Sequence, residues 1–498
     1  MNTDSPRIHW TIALVPFVVL VVLQVLVIRQ FGSDAIDGAS QTALLFAAAV
    51  AVAIAMVGYK VPWKNISGAI EDNIKTIGTA VLILFLIGAI SGSWMLSGIV
   101  PTMIYYGMKV ITPSLFLFMA CLICALVSLI TGSSWTTVAT VGIALIGIGT
   151  AHGFSAGWTA GAIISGAYFG DKISPLSDTT VLASSVGEVP LFTHIRYMLI
   201  TTVPSVTIAL VVFLVVSLLH PGGDSTQAAS FAEGLQNSFV ISPWLLLVPL
   251  FTAVIIALRL PAAVILFLSA LVAGIVMLLV QPDIVAQVGE GSSFRALMIT
   301  YYSGTSIDTG NEVLTNLVQT RGMTGMLSTV FLIFCASTFG GTLTGGGMMR
   351  SLTEALARGI SGRRSLVTST VGTGLFANMA TGDQYLSIVL TGNIFKQLYK
   401  DKGYEGRLLS RSTEDSATVT SVLVPWNTCG MTQSTVLKVP TLDYLPYCLF
   451  NIISPLMSIT IALIGYKIFR RTEEEEGGEL VTNCYQLKLP SSEEAMKK

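Results

Sequence analysis

The sequence predicts an all-α, polytopic membrane protein with about ten transmembrane helices plus two re-entrant hairpins in inverted-topology repeats. Three observations predict it. The 498 residues are 52% hydrophobic and only 11% charged, with a mean hydropathy of +0.74. A soluble protein carries about 25% charged residues, so too little polar surface remains here to cover a water-soluble fold. Apolar runs repeatedly reach the ~20 residues a helix needs to cross a bilayer. Two similar polar stretches, TGSSW (131–135) and TGDQY (381–385), interrupt apolar segments in the two halves of the chain.

The elements follow in order. The apolar run from Thr11 to Ile28 is longer than a signal-peptide core and lacks a clear small-residue cleavage site. It reads as an uncleaved first helix near 10–29. A second helix lies near 41–58, after a loop carrying Asp34 and Asp37. Together these form an N-terminal unit, 1–75. Lys60, Lys64 and Lys75 place the following loop, and hence the N-terminus, in the cytoplasm.

A first repeat covers 76–219. It opens with a helix near 76–97. Residues 114–150 then hold two apolar runs, broken at Thr131-Gly132-Ser133-Ser134, that look too short to span. A hairpin entering from the outside is expected. A crossing from near 158 breaks at Ser174-Pro175, and a helix near 192–218 follows. Residues 220–323 form a scaffold. The stretch 219–240 has no Lys or Arg and is placed outside. Helices near 242–258 and 261–280 flank Arg259, and 281–323 is an outside connector on the membrane surface.

The second repeat, 324–468, mirrors the first. A helix near 324–347 leads to Arg350, Arg358, Arg363 and Arg364. A hairpin over 365–396 breaks at Thr381-Gly382-Asp383 and is followed by Lys396, Lys400, Lys402, Arg407 and Arg411. It therefore enters from the cytoplasm. A broken crossing near 414–437 and a helix near 441–468 end at Lys467, Arg470 and Arg471, placing the C-terminus inside. The charged tail, 469–498, is expected to be loosely ordered.

Motif order supports the repeat. ISGSWMLSG (90–98) and LTGGGMM (343–349) precede the two hairpins. SPLSDTT (174–180) and TEDSATVTS (413–421) follow them as polar breaks with an acid and hydroxyls. Opposed hairpins in matching order are the mark of inverted repeats, with binding where helices are discontinuous.

Several function classes fall away. A net charge of −1 argues against a nucleic-acid partner. Cys121 and Cys124 form a C-x-x-C, but inside LFMACLICALV, where cysteine serves as a small apolar residue. His9, His152, His194 and His220 show no metal-ligand spacing, and H-E-x-x-H is absent, so no zinc site or cofactor is expected. Tyr168-Phe169-Gly170-Asp171 and Ala380-Thr381-Gly382-Asp383 lack the first glycine of the G-x-G-D context of intramembrane aspartyl proteases.

A carboxylate in the membrane core costs about 2.5–3.5 kcal/mol even on insertion scales, unless it faces water or binds a cation. Asp171, Asp178, Asp383, Glu414 and Asp415 are the candidates. Asp178, Asp383 and Asp415 form the expected core set, with Glu414 beside them. Thr131, Ser133, Thr179, Thr381, Thr418 and Asn427 supply neutral oxygens, which suit a hard cation. Burial raises a carboxylate's affinity for protons and a bound cation lowers it, so one acid can alternate between the two. Plainer readings stand beside these. Asp171 and Lys172 form an ion pair, or Glu414 is solvated near Arg411. Asp415 sits at a helix N-terminus, where the dipole favours it. The hydroxyls of 131–137 bond back to helix carbonyls.

Over TGSSWTTVATVGIALIGIG (131–149), SGAYFGDKISPLSDTTVLA (165–183), ATGDQYLSIVL (380–390) and LSRSTEDSATVTSVLVPWNTCG (409–430), the chain resembles the NhaC family of sodium/proton antiporters. The resemblance runs over most of the chain, outside the first 70 residues and the tail. It implies Na⁺/H⁺ exchange in a cell (inner) membrane, with Na⁺ and H⁺ as transported ions and no cofactor. It also implies homodimers that move a transport domain against a scaffold. The family includes exchangers coupling Na⁺ and H⁺ to malate and lactate, and these motifs do not separate the two activities.

Overall fold

The computed structural model describes residues 8–31, 38–220, 225–258, 260–357, 360 and 362–470. Asp34, Asp37, Arg259, Arg358, Arg471 and the tail from 471 lie outside the described residues. Regular structure among the described residues is helical, apart from two isolated bridges, Thr305–Thr320 and Tyr404–Arg470. Among the described residues eight helices are long and apolar enough to cross a membrane, or up to ten if two bent pairs count as spans. The chain is an all-α, multi-pass membrane protein.

Trp10–Phe31, Ala39–Gly58, Gly78–Leu96, Leu191–Leu219 and Ala262–Val280 lie close to their expected positions. Four features differ from the sequence reading. Pro113–Thr131 and Ser134–Ala151 are 19 and 18 residues long, enough to span by length and composition. Their apolar stretches looked short because Thr, Ser and Gly continue the helices. The stretch 219–240 holds a helix, Ser225–Ser238, whose Phe231 and Leu235 are buried. The last crossing is bent by 55° between Thr441–Tyr447 and Leu449–Ile464. Trp63–Thr76 and Ile99–Val110 are additional helices. The first packs on Leu327–Gly345, whose Gly341 and Gly345 leave no room for a Cβ against the backbone of Ile70 and Ile66.

The two hairpins and the two broken helices match residue for residue at a constant spacing of 250 positions, 131 to 381 and 177 to 427. Phe116–Thr131 turns at Gly132 into Ser134–Ala151, and Arg363–Thr381 turns at Gly382 into Gln384–Asp401. Both glycines are left-handed, at φ 67° and 66°, which glycine adopts without steric cost. Ser128 donates to the Ala167 carbonyl (2.6 Å), and Asn378 to the Ala417 carbonyl (2.7 Å). The carbonyls of Leu129 and Met379 each accept a side chain from the break that packs on their hairpin, Ser174 Oγ (2.8 Å) and Trp426 Nε1 (2.7 Å).

This register corrects one motif pairing. The counterpart of SPLSDTT (174–180) is VPWNTCG (424–430), not TEDSATVTS (413–421). Each break has proline second and a capping side chain fourth, where Ser177 accepts from Thr180 N and Asn427 from Cys429 N. Proline removes a donor and the cap restarts the helix, so backbone role follows these residues rather than the acids. TEDSATVTS lies earlier on the same helix, where Glu414–Thr418 is π-helical.

Candidate ion-binding site

The hairpin tips are tied by the hydroxyls expected there. Thr131 Oγ1 donates to the Ser133 carbonyl (3.2 Å) and accepts from Ser133 N (3.2 Å). Ser133 Oγ caps the next helix by accepting from Thr136 N (3.2 Å). In the second tip Thr381 Oγ1 donates to the Asp383 carbonyl (3.0 Å), and Asp383 N donates back to it (3.2 Å). Asp383 caps its helix as Ser133 does, with Oδ1 accepting from Leu386 N (2.9 Å) and Oδ2 from Thr428 Oγ1 (3.4 Å). Thr137 and Thr140 bond back to the carbonyls of Ser133 and Thr136.

The acids occupy different settings. Asp178 is exposed in the first turn of Asp178–Val186, beside its cap Ser177. Asp171 and Asp383 are buried. Asp171 Oδ2 accepts from Ser134 N (3.2 Å) and Oγ (2.7 Å), and Oδ1 from Ser177 Oγ (2.6 Å). Thr179 Oγ1 donates to Glu414 Oε1 at 3.4 Å and lies 3.0 Å from Ser177 Oγ, whose proton goes to Asp171. Two hydroxyls in contact therefore lie between Asp171 of the first repeat and Glu414 of the second, each donating to one acid. Glu414 Oε2 and Thr418 Oγ1, one turn apart and fully buried, have no other hydrogen-bond partner among the described residues. Asn427 caps the last part of the second broken helix and donates to the Asn378 carbonyl (3.2 Å).

Asp415 stands apart from this group. It is 0% exposed and paired with Lys172, itself 0% exposed. Its Oδ1 also accepts from Thr201 Oγ1 (3.0 Å) and Ser454 Oγ (3.2 Å). Three sequence readings give way here. Lys172 pairs with Asp415 rather than with its neighbour Asp171, because adjacent helical side chains diverge. Glu414 is buried, not solvated, since helix 406–413 continues through it into the protein interior. Asp415 is likewise inside the continuing helix and not at an N-terminus.

Asp171 was a candidate left out of the core set, and Ser134, Ser177, Lys172, Thr201, Ser454 and Arg411 were not in the expected set. Lys172 carried a signal, an ammonium inside a helix otherwise apolar or small. Thr201 and Ser454 carried none, being single hydroxyls on helices distant in sequence. Among the described residues no three of His, Cys, Asp and Glu converge on a metal-sized space. A cation held here takes hydroxyls and carbonyls as further ligands. At the edge of the site, outside the spans, Glu188 meets Lys396 (2.6 Å) and Lys400 (2.7 Å). These ammonium groups hold its carboxyl below the ordinary glutamate range.

Residues 166–466 match the model of the Na⁺/H⁺ antiporter family. The chain belongs to this family. It is 37% identical over 84% of its length to the Na(+)/H(+) antiporter NhaC of Bacillus subtilis (strain 168), covering 91% of that protein. It is 35% identical to the Malate-2H(+)/Na(+)-lactate antiporter of the same organism, over 82% of this chain and 86% of the other. The Arginine/ornithine antiporter ArcD of Halobacterium salinarum (strain ATCC 700922 / JCM 11081 / NRC-1) is 34% identical over 94% of both chains. The family match contains all five candidate acids and leaves out Thr131 and Ser133.

Proposed function

We propose that this protein exchanges Na⁺ for H⁺ across the cell (inner) membrane by alternating access. One observation carries the reading. Asp171 and Glu414, buried acids from the two repeats, face each other across the hydroxyls of Ser177 and Thr179, and among the described residues neither forms a salt bridge. Two buried carboxylates without a counter-cation are costly when ionised. They hold protons or share a cation, and that alternative is what coupled exchange needs. Glu414 Oε2 and Thr418 Oγ1 offer unoccupied oxygens to the ion, and Thr131, Ser133, Thr381, Asp383 and Asn427 build the tips around it. Asp178, exposed beside Asp171, faces the approach. Asp415 balances Lys172.

The repeats lie in opposite orientation, both termini are cytoplasmic, and the protein works as a homodimer. The distribution of Lys and Arg supports the orientation, and the family supports the rest. Coupling to an organic acid of the malate or lactate kind is the second reading, favoured by the relative that carries that name. The experiment is internal pH in proteoliposomes. External Na⁺ or Li⁺ alone is expected to raise internal pH. No response to any monovalent cation would overturn the proposal, and a response only with a malate or lactate gradient would select the second reading.

A further inference from the structure

Arg411 is one of the largest fully buried side chains, yet among the described residues Nε, Nη1 and Nη2 have no hydrogen-bond acceptor. Its guanidinium lies over the Tyr197 ring, 4.6 Å from the centroid. The nearest carboxylate oxygen is Asp415 Oδ2, 3.8 Å from Nε, and that oxygen also has no hydrogen-bond partner. The other oxygen of Asp415 takes Lys172, Thr201 and Ser454. One carboxylate thus stands between two buried cations, bonded on one side and open on the other. A guanidinium is suited to bidentate carboxylate binding, and a buried donor left unmade is costly.

The backbone between them supplies a two-state element. Arg411 and Asp415 are four residues apart, a spacing that brings side chains together on an α-helix. Asp415 is the second residue of the π-helical stretch Glu414–Thr418, whose wider turn changes that spacing. Residues 164–168, the counterpart in the first repeat, are plain α-helix.

We propose that Arg411 is the alternate partner of Asp415, closing on Oδ2 when Lys172 is drawn off by a cation entering beside Asp171 and Glu414. The inference rests on the cation site proposed above. In the cation-free protein Lys172 neutralises Asp415 and Arg411 is idle. A cation beside Lys172 repels its ammonium, and tightening of the π turn hands the carboxylate to Arg411. Arg411 is a positioning residue in this account, since it touches no transported ion.

The test uses the full purified chain and its thermal unfolding, with NaCl or with choline chloride at equal ionic strength. Wild type is expected to gain stability with Na⁺. Arg411→Gln should unfold within about 2 °C of wild type in choline, lose most of the Na⁺ shift, and raise the apparent KM for Na⁺ more than it lowers the maximal rate. Arg411→Lys should recover part of the Na⁺ shift. Arg411→Gln that fails to fold, or loses equal stability in both salts, makes Arg411 a structural residue and overturns the proposal. A cycle without Na⁺ separates this from failure of the cation site. Lys172→Met should be tolerated because Arg411 takes Asp415, and Lys172→Met with Arg411→Gln should lose far more than the two single losses added. Additive losses would overturn the inference even if Na⁺ exchange stands, and a wild type blind to Na⁺ would overturn both.

Discussion

Ser133 and Asp383 hold the same place in the two hairpin turns, one capping its helix with a hydroxyl and the other with a carboxylate. On the broken helices the assignment reverses, with Asp171 in the first repeat and Ser421 in the second. The turns and breaks of the backbone are duplicated, down to the φ of Gly132 and Gly382, but the acids are not. A further difference lies at 414 and 415. Where the first repeat runs through Ile164 and Ser165 in a regular helix, the second places Glu414 and Asp415 at the start of a π-helical turn. Packing and turns explain the shared parts. Charge placed in one copy only at each matched position fits the proposed single ion between the copies rather than two equivalent ones.

The largest effect should come from the unmatched acid. Glu414→Gln is expected to lower Na⁺-driven proton exchange about 100-fold or more, with the protein still folded, because it removes the open oxygen charge at the bridge. Proteoliposome pH records check this. Asp383→Ser gives the second tip the residue of the first, and exchange should fall about tenfold with its cap partly kept.

The glycines break the comparison on the side of stability. Gly132→Ala and Gly382→Ala both impose a left-handed φ on alanine, at about 1–2 kcal/mol. A Cβ at 132 would also meet the Leu176 backbone at 2.6 Å, whereas one at 382 meets the Ala336 side chain at 2.8 Å. Gly132→Ala should therefore unfold at the lower temperature of the two.

The smallest effect is at Glu188. Its carboxyl is depressed below the ordinary 4.5 by Lys396 and Lys400, so its stabilisation is complete above that value and is lost as pH falls through the folded value. Glu188 is half exposed, and the pairs are worth at most about 1 kcal/mol. Glu188→Gln should cost that little at neutral pH and flatten the acid side of the stability curve.

Much of the fold was legible because a bilayer forces long apolar helices, and proline, glycine and capping residues mark where they break. Trp63–Thr76 and Ile99–Val110 were not, being shorter than a span and governed by packing on Leu327–Gly345 and on the first hairpin. The site was partly legible. Acids in apolar helices stand out, so Asp171, Asp178, Asp383, Glu414 and Asp415 were all picked. Which of them were free was not, because Lys172 meets Asp415 across 243 positions and Thr179 meets Glu414 across 235. Only tertiary contact tells a neutralised carboxylate from one that can take an ion.

The direct test of that distinction is Na⁺ binding to the purified protein, followed by isothermal titration calorimetry at fixed pH with wild type and Glu414→Gln. Wild type is predicted to bind Na⁺ saturably and release protons as it does, and Glu414→Gln to lose both. Wild-type Na⁺ binding and proton release in Glu414→Gln would contradict the account.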